Sequence, residues 1–171
     1  FDTAPSHGAS EEVAGRLADR FGMPFWQFTL SATLASTEAL RVARAATGRD
    51  GVLMFDGKYH GHADELLATL DDGAVALEGS GVLYDATRHV RIVPYNDVRA
   101  VERVFDDEGD RIAAMILEPV MLNVSAILPE AGYLARLREV TRRHGAMLIF
   151  DEVKTGATIA FGGAVEWSGV T

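Results

Sequence analysis

Runs of apolar residues alternate with amphipathic stretches along the chain. Four runs are apolar apart from Arg91 and predict buried strands: Val52–Phe55, Val90–Val93, Ile112–Leu117 and Met147–Phe150. A short aromatic-rich stretch over 25–30 also suits a strand. Strands that are apolar on both faces are typical of a parallel sheet covered on both sides. We therefore expect an α/β fold, with a mostly parallel sheet and helices on both faces.

Apolar residues spaced three and four apart predict helices between the strands. One helix begins near Ser10 and ends at Gly22, and a second is capped by Ser36 or Thr37 and ends at Gly48. A third helix is predicted from the apolar residues Val98, Val101, Val104 and Phe105. A fourth is predicted from Tyr133, Leu134, Leu137 and Val140. The stretch 71–87, with many Gly, Ala and Ser residues, is predicted to be a long loop.

Composition narrows the class of protein. With 171 residues and 18.4 kDa, the chain is interpreted as one domain over 1–171. A net charge of −9 argues against binding nucleic acid, and the lack of Cys excludes thiolate metal sites. No apolar run approaches the roughly 18 residues that span a membrane. No signal peptide is visible, so we expect a cytoplasmic protein.

The apolar strand Met147–Phe150 leads directly into Asp151 and Glu152. Carboxylates rarely follow such a strand merely to pack, and ligands of parallel α/β sheets bind at this end of the strands. An Asp shielded from water keeps its charge only beside a cation. One cation that fits is the protonated ring nitrogen of pyridoxal phosphate. An Asp that caps the following turn explains these residues equally well.

Other polar residues are expected at the same edge of the sheet. They are Tyr59, His60 and His62 after the strand 52–55, and Glu118 after the strand 112–117. Ser36 and Thr37 are expected at a helix start, where amides and hydroxyls can bind phosphate or simply cap the helix. Convergence of these groups on one edge predicts a binding site there.

Together these motifs resemble the large domain of the class III, fold type I, pyridoxal-phosphate aminotransferases, in the branch that contains glutamate-1-semialdehyde aminomutase. Order and spacing agree along nearly the whole chain. The matching runs are Ser36-Thr37-Glu38-Ala39-Leu40-Arg41-Val42-Ala43-Arg44, Phe55-Asp56-Gly57-Lys58-Tyr59-His60-Gly61-His62-Ala63-Asp64, Glu118-Pro119-Val120, and Phe150-Asp151-Glu152-Val153 with Thr155-Gly156.

The resemblance implies a role for each candidate residue. Asp151 would pair with the pyridinium nitrogen, while Tyr59 and Val153 would pack on the two faces of the cofactor ring. Asn123 would lie beside the ring's phenolic oxygen. Ser36 and Thr37 would bind the phosphate. Glu118 and His60 would either take part in the site or shape its loops. The resemblance also implies a small-molecule amino donor, a carbonyl acceptor and a homodimer.

The chain departs from the family in two places. The family's Schiff-base Lys follows the Asp by roughly two to three dozen residues; here the only Lys residues are Lys58 and Lys154. We therefore expect a partial large domain, lacking a leading segment, the catalytic Lys and the small C-terminal domain. The usual Asn-Ser-Gly-Thr phosphate loop becomes Leu34-Ala35-Ser36-Thr37, although Ser31-Ala32-Thr33 matches a variant of one branch.

Two other functions fit parts of the sequence. His60, His62 and Asp64 have the spacing of the metal-binding motif of metallo-β-lactamase-like hydrolases, although position 65 is Glu where that motif needs His. The missing Lys also leaves open a non-catalytic homologue or fragment that binds the cofactor without turnover.

Overall fold

A computed structural model describes residues 7–171, which fold into five helices and six strands. The helices are α1 (His7–Phe21), α2 (Ala32–Thr47), α3 (Val98–Glu108), α4 (Tyr133–His144) and α5 (Gly163–Ser168). The strands are β1 (Gly51–Phe55), β2 (Ala68–Asp71), β3 (Ala74–Leu77), β4 (Val90–Val93), β5 (Ile112–Leu117) and β6 (Met147–Phe150). All four runs predicted as buried strands form strands, but β6 is not buried, because it lies at the edge of the sheet and Met147 is 41% exposed.

Four strands form a parallel sheet in the order β4-β1-β5-β6. Parallel pairing brings their carboxyl ends to one edge, so the segments that follow β1, β5 and β6 are neighbours in space. Helix α2 leads into β1 from the opposite direction, which places its amino end at that same edge. The prediction of an α/β fold with a mostly parallel sheet is confirmed.

Each face of the sheet packs into its own hydrophobic core. On one face, Val52 and Met54 of β1 pack with Leu40 and Ala43 of α2. On the other, Leu53 and Phe55 join the buried residues of α3 and α4. Successive residues of β1 therefore enter opposite cores, as the strand period of two requires. Because both faces are covered by helices, every residue of β1 and β5 is buried.

The structure differs from the sequence prediction at two segments. Residues 25–30 form no strand, and Phe25, Phe28 and Leu30 are largely exposed, because no neighbouring strand among the described residues pairs with them. The predicted loop 71–87 begins inside an antiparallel hairpin of β2 and β3. Its turn is Asp72-Gly73, both with positive φ, which is the combination that a type I′ hairpin turn needs.

None of the helices within residues 7–171 is both long enough and apolar enough to cross a membrane.

Candidate cofactor site

The site lies at the edge where the carboxyl ends of β1, β5 and β6 meet. His60 follows β1 and Asp151 follows β6, and their side chains are in contact across the sheet. His60 Nδ1 lies 2.7 Å from Asp151 Oδ2, and the His60 side chain is fully buried. An ionised carboxylate can only accept hydrogen bonds, so Nδ1 carries the proton and donates it.

The Asp151 carboxylate stays ionised although it is largely buried. Burial alone would raise the pKa of Asp151, but the hydrogen bond and charge of His60, the N–H of Val153 and the charge of Lys154 together lower that pKa below its usual range. The Val153 N–H lies 3.1 Å from Oδ1. These two hydrogen bonds use about half of the four acceptor positions of a carboxylate. Asp151 can therefore accept a further N–H from a bound group.

Glu152, the neighbour of Asp151, has a structural role. Its Oε2 accepts the N–H of Ala164 at 2.6 Å, in the first turn of α5, and the hydroxyl of Thr155 at 3.3 Å. Only the first carboxylate of the Asp-Glu pair thus reaches the site. The second stabilises the segment that follows β6.

Tyr59 presents a partly exposed ring at this edge, with 38% of the residue accessible. Its hydroxyl lies 3.0 Å from the nearer ring nitrogen of His62, and the two rings meet edge to face. The backbone N–H of His62 in turn donates to Thr33 Oγ1 at 3.2 Å. These contacts connect the ring to the first turn of α2.

Gly61 allows α2 to approach the loop after β1. Its φ is +108°, and a Cβ at this position would lie 2.5 Å from Thr33 Oγ1 and 2.8 Å from Thr33 Cα. A larger residue would therefore both strain the backbone and push the helix away. The glycine in Tyr59-His60-Gly61-His62 is needed for this contact.

Glu118 is buried and binds the two loops beside the site. Its Oε1 accepts the backbone N–H of Tyr59 at 3.3 Å, and its Oε2 accepts the N–H of Leu122 at 3.2 Å. Lys154 Nζ lies 3.1 Å from Oε2. Of the two roles considered for Glu118, these contacts favour holding the neighbouring loops.

Asn123 and Val153 lie on segments next to these contacts. The Asn123 side-chain amide donates to the carbonyl of Gly57 at 3.0 Å, which fastens the 121–128 loop to the turn after β1. Val153, three residues after β6 ends, is 69% exposed. Its exposed surface is available to pack against a bound molecule.

The prediction that Ser36 or Thr37 caps α2 is wrong. The helix begins at Ala32, and Ser31 is its N-cap, with its side chain accepting the N–H of Leu34. Ser36 lies buried in the second turn, and the Thr37 hydroxyl donates to the carbonyl of Thr33. Ala32, Leu34 and Ala35 are good helix formers, which extends the helix toward Ser31. The free amides at the helix start therefore belong to the turn after Ser31.

The metal-binding alternative does not match the geometry. His60 faces Asp151, His62 faces Tyr59, and Asp64 accepts the N–H of Leu83 at 3.1 Å. The three side chains thus have separate partners. Across residues 7–171, no three His, Cys, Asp or Glu side chains are grouped so that they could hold a metal ion.

Fold and candidate site together are those of an α/β protein whose strand ends present charged and aromatic side chains at one edge of the sheet. A buried ionised carboxylate follows β6, a partly exposed aromatic ring follows β1, and a helix amino end lies at the same edge. The chain belongs to the class-III aminotransferase family, whose profile matches residues 3–171.

Three similar proteins illustrate the relationship. Glutamate-1-semialdehyde 2,1-aminomutase of Polynucleobacter necessarius is 43% identical over 99% of this chain and 42% of its own length. A crystal structure of a variant of the glutamate-1-semialdehyde aminomutase of Pseudomonas aeruginosa PAO1 in complex with PMP has a TM-score of 0.87, at 39% identity over 96% of this chain and 36% of its own. An omega-transaminase of Sphaerobacter thermophilus also has a TM-score of 0.87, at 32% identity over 100% of this chain and 41% of its own.

The chain spans 40–42% of the length of the first three curated relatives that it matches. Those relatives are all glutamate-1-semialdehyde 2,1-aminomutases.

Proposed function

We propose that the protein containing this chain is a pyridoxal-phosphate-dependent aminotransferase or aminomutase. It would move an amino group between a small-molecule amino donor and an aldehyde or keto acceptor; in an aminomutase both carbons belong to one substrate. The observation that carries this proposal is the buried Asp151 carboxylate, kept charged by His60 and with acceptor positions to spare. Family membership supports it, and so does the PMP-bound structure, since PMP is the amino form of pyridoxal phosphate.

The residues at the strand ends fit this cofactor. Asp151 would accept the pyridinium N–H and keep that nitrogen protonated, with His60 fixing the carboxylate from behind. The ring of Tyr59 and the exposed side chain of Val153 would pack against the cofactor ring, with Asn123 beside its phenolic oxygen. When bound, pyridoxal phosphate supplies an electron sink for reactions at an amino-bearing carbon.

The phosphate would bind at the start of α2. The Ser31 side chain accepts the Leu34 N–H, whereas Ala32 and Thr33 at the helix start have no helix carbonyl one turn earlier to bond, and the helix dipole favours a negative charge there. Thr33 adds a hydroxyl in the same turn. We therefore assign the phosphate to the turn Ser31-Ala32-Thr33 and no longer to Ser36 and Thr37.

The covalent step of this chemistry needs a lysine amine. Lys58 is buried, and its ammonium contacts the carbonyl of Ala68 and the carboxylate of Glu78. Lys154 is ion-paired with Glu118. Because a nucleophilic amine must be free of such partners, we propose that the Schiff-base Lys lies in a part of the protein that these 171 residues do not contain.

We also propose that the protein is a homodimer. The 121–128 loop beside the site exposes four apolar side chains: Leu122, Val124, Ile127 and Leu128. An exposed apolar patch at the edge of a site is typical of a protein–protein contact. Light scattering of the full-length protein tests this proposal, and a monomer at micromolar concentration would contradict it.

Visible absorbance of the full-length protein tests the function. After incubation with pyridoxal phosphate and gel filtration, we expect a visible band that changes when a primary amine such as L-alanine is added.

Asp151→Asn should lower amino transfer by roughly 100-fold or more, because the ring nitrogen loses its ionic partner. The variant should remain folded, since Asn has nearly the same shape; far-UV circular dichroism checks this.

Asp19→Asn is a matched control, because Asp19 lies exposed on α1, and it should leave the activity unchanged. Full activity in Asp151→Asn would contradict the role of Asp151. A band that washes out on gel filtration would favour the non-catalytic alternative. If neither a band nor amino transfer is seen, the proposed function is wrong.

A further inference from the structure

Glu118 connects three segments that surround the proposed cofactor ring. The residue follows β5, and only 4% of its side chain is exposed. Its carboxylate accepts the backbone N–H groups of Tyr59, after β1, and of Leu122, in the 121–128 loop. The position of the Tyr59 backbone therefore depends on where this carboxylate is held.

Lys154 supplies the positive charge that this carboxylate needs. Its Nζ lies 3.1 Å from Glu118 Oε2, and among residues 7–171 no other cation forms an ion pair with Glu118. A buried carboxylate without a cation is unfavourable, because the protein interior solvates charge poorly. The Lys154 side chain is 37% exposed, so its ammonium remains partly hydrated while it neutralises the buried partner.

Lys154 also lies in the segment that carries the other ring contacts. It follows Asp151 by three residues and Val153 by one. The ion pair with Glu118 thus joins the segment after β6 to the segments after β5 and β1. Two paired side chains, Lys154 and Glu118, thus connect the segment of Asp151, the proposed partner of the ring nitrogen, to Tyr59, which would stack on the ring.

We propose that Lys154 is a positioning residue, which rests on the proposed function above. Its ammonium pairs with Glu118 and holds that side chain in place, and through Glu118 it fixes the Tyr59 backbone so that the ring can stack on the cofactor. Lys154 forms no bond to the cofactor in this role. An arginine should therefore replace it, since the guanidinium keeps the charge and cannot form a Schiff base.

Cofactor affinity and visible circular dichroism of the full-length protein test this role. Pyridoxal phosphate is titrated into the unsubstituted protein, Lys154→Met and Lys154→Arg. We expect Lys154→Met to weaken cofactor affinity roughly 10-fold or more, the size often seen when a supporting contact is lost, and to reduce the visible dichroism. Lys154→Arg should restore both, and thermal unfolding shows which variants are folded.

The double variant Lys154→Met with Glu118→Gln guards against failure to fold, because it removes both charges together. Its cofactor affinity should fall by a smaller factor than the product of the factors for the two single variants, since no buried charge is left unpaired. Unchanged affinity and dichroism in Lys154→Met would overturn the role of Lys154, as would a Lys154→Arg variant as weak as Lys154→Met. If the unsubstituted protein itself fails to bind pyridoxal phosphate, the proposed function fails as well.

Discussion

At the scale of single residues, the charge of Asp151 is maintained by its neighbours. The side chain is 9% exposed, yet its pKa lies below the usual value because His60, the Val153 N–H and Lys154 outweigh the effect of burial. Sequence alone predicts Asp151 from its place after an apolar strand. The contact with His60 joins residues 91 positions apart, so no local spacing reveals it.

The lowered pKa of Asp151 predicts how stability depends on pH. An unfolded Asp titrates near pH 3.9, as estimated from peptides. Since the folded pKa is lower, Asp151 stabilises the fold fully above that pH, and this contribution is lost as the pH falls through the folded pKa. The difference in free energy of unfolding between the unsubstituted protein and Asp151→Asn should therefore be constant between about pH 5 and 7 and shrink below about pH 4. Urea unfolding at each pH measures it, and a difference that stays constant down to pH 3 would contradict the assignment.

At the scale of secondary-structure elements, the sequence predicts strands best where both faces of the strand are buried. Strands β1 and β5 are apolar along their length because both faces are covered, and this pattern is visible in sequence. Residues 25–30 have equal strand propensity, but a strand also needs a partner, which local sequence does not specify. The β2–β3 hairpin does have a local signal in the sequence, the turn Asp72-Gly73. The many Gly, Ala and Ser residues of the stretch led instead to the prediction of a loop.

Arg49 connects α3, α4 and β5 through long-range hydrogen bonds, which a local sequence pattern cannot predict. Its Nη1 donates to the carbonyls of Gly109, Ile112 and His144, at 3.1, 3.2 and 2.8 Å. Two of these carbonyls lie at the carboxyl ends of α3 and α4, where helix dipoles favour a positive charge. Arg49 therefore fastens both helices to the start of β5.

We expect Arg49→Met to lower the free energy of unfolding by about 1.5–3 kcal/mol, because charged hydrogen bonds to partly buried carbonyls are lost. Arg41→Met is the matched control. Arg41 pairs with Glu38 on the exposed side of α2, and its loss should change stability by no more than about 0.5 kcal/mol. Urea unfolding measures both variants, and equal effects would show that the three carbonyl contacts contribute little.

At the scale of the whole molecule, the sheet separates two cores. Leu40 and Ala43 pack on one face, while Leu137 and Val140 pack on the other. The α/β class and the helices on both faces follow from sequence, since apolar strands require cover on each side. Strand order and the meeting of three loops at one edge come from long-range pairing. For this reason sequence could name candidates such as Asp151 and Tyr59, which remain predictions, whereas it misplaced the start of α2 and could not show the network from Lys154 through Glu118 to Tyr59.

Two separate cores predict that substitutions on opposite faces act independently. Leu137→Ala should cost about 2–5 kcal/mol, and Ile→Val on β5 about 0.5–1.5 kcal/mol. Ile116 lies in the core opposite Leu137, while Ile112 shares the core of Leu137, and each is 1% exposed. The loss in free energy of unfolding of Leu137→Ala with Ile116→Val should equal the sum of the two single losses within about 0.5 kcal/mol. The loss for Leu137→Ala with Ile112→Val should differ from the sum by more, because both residues belong to one core and that core relaxes around both truncations. Urea unfolding of the two double variants decides the matter, and equal coupling in both would mean that the sheet does not separate the cores.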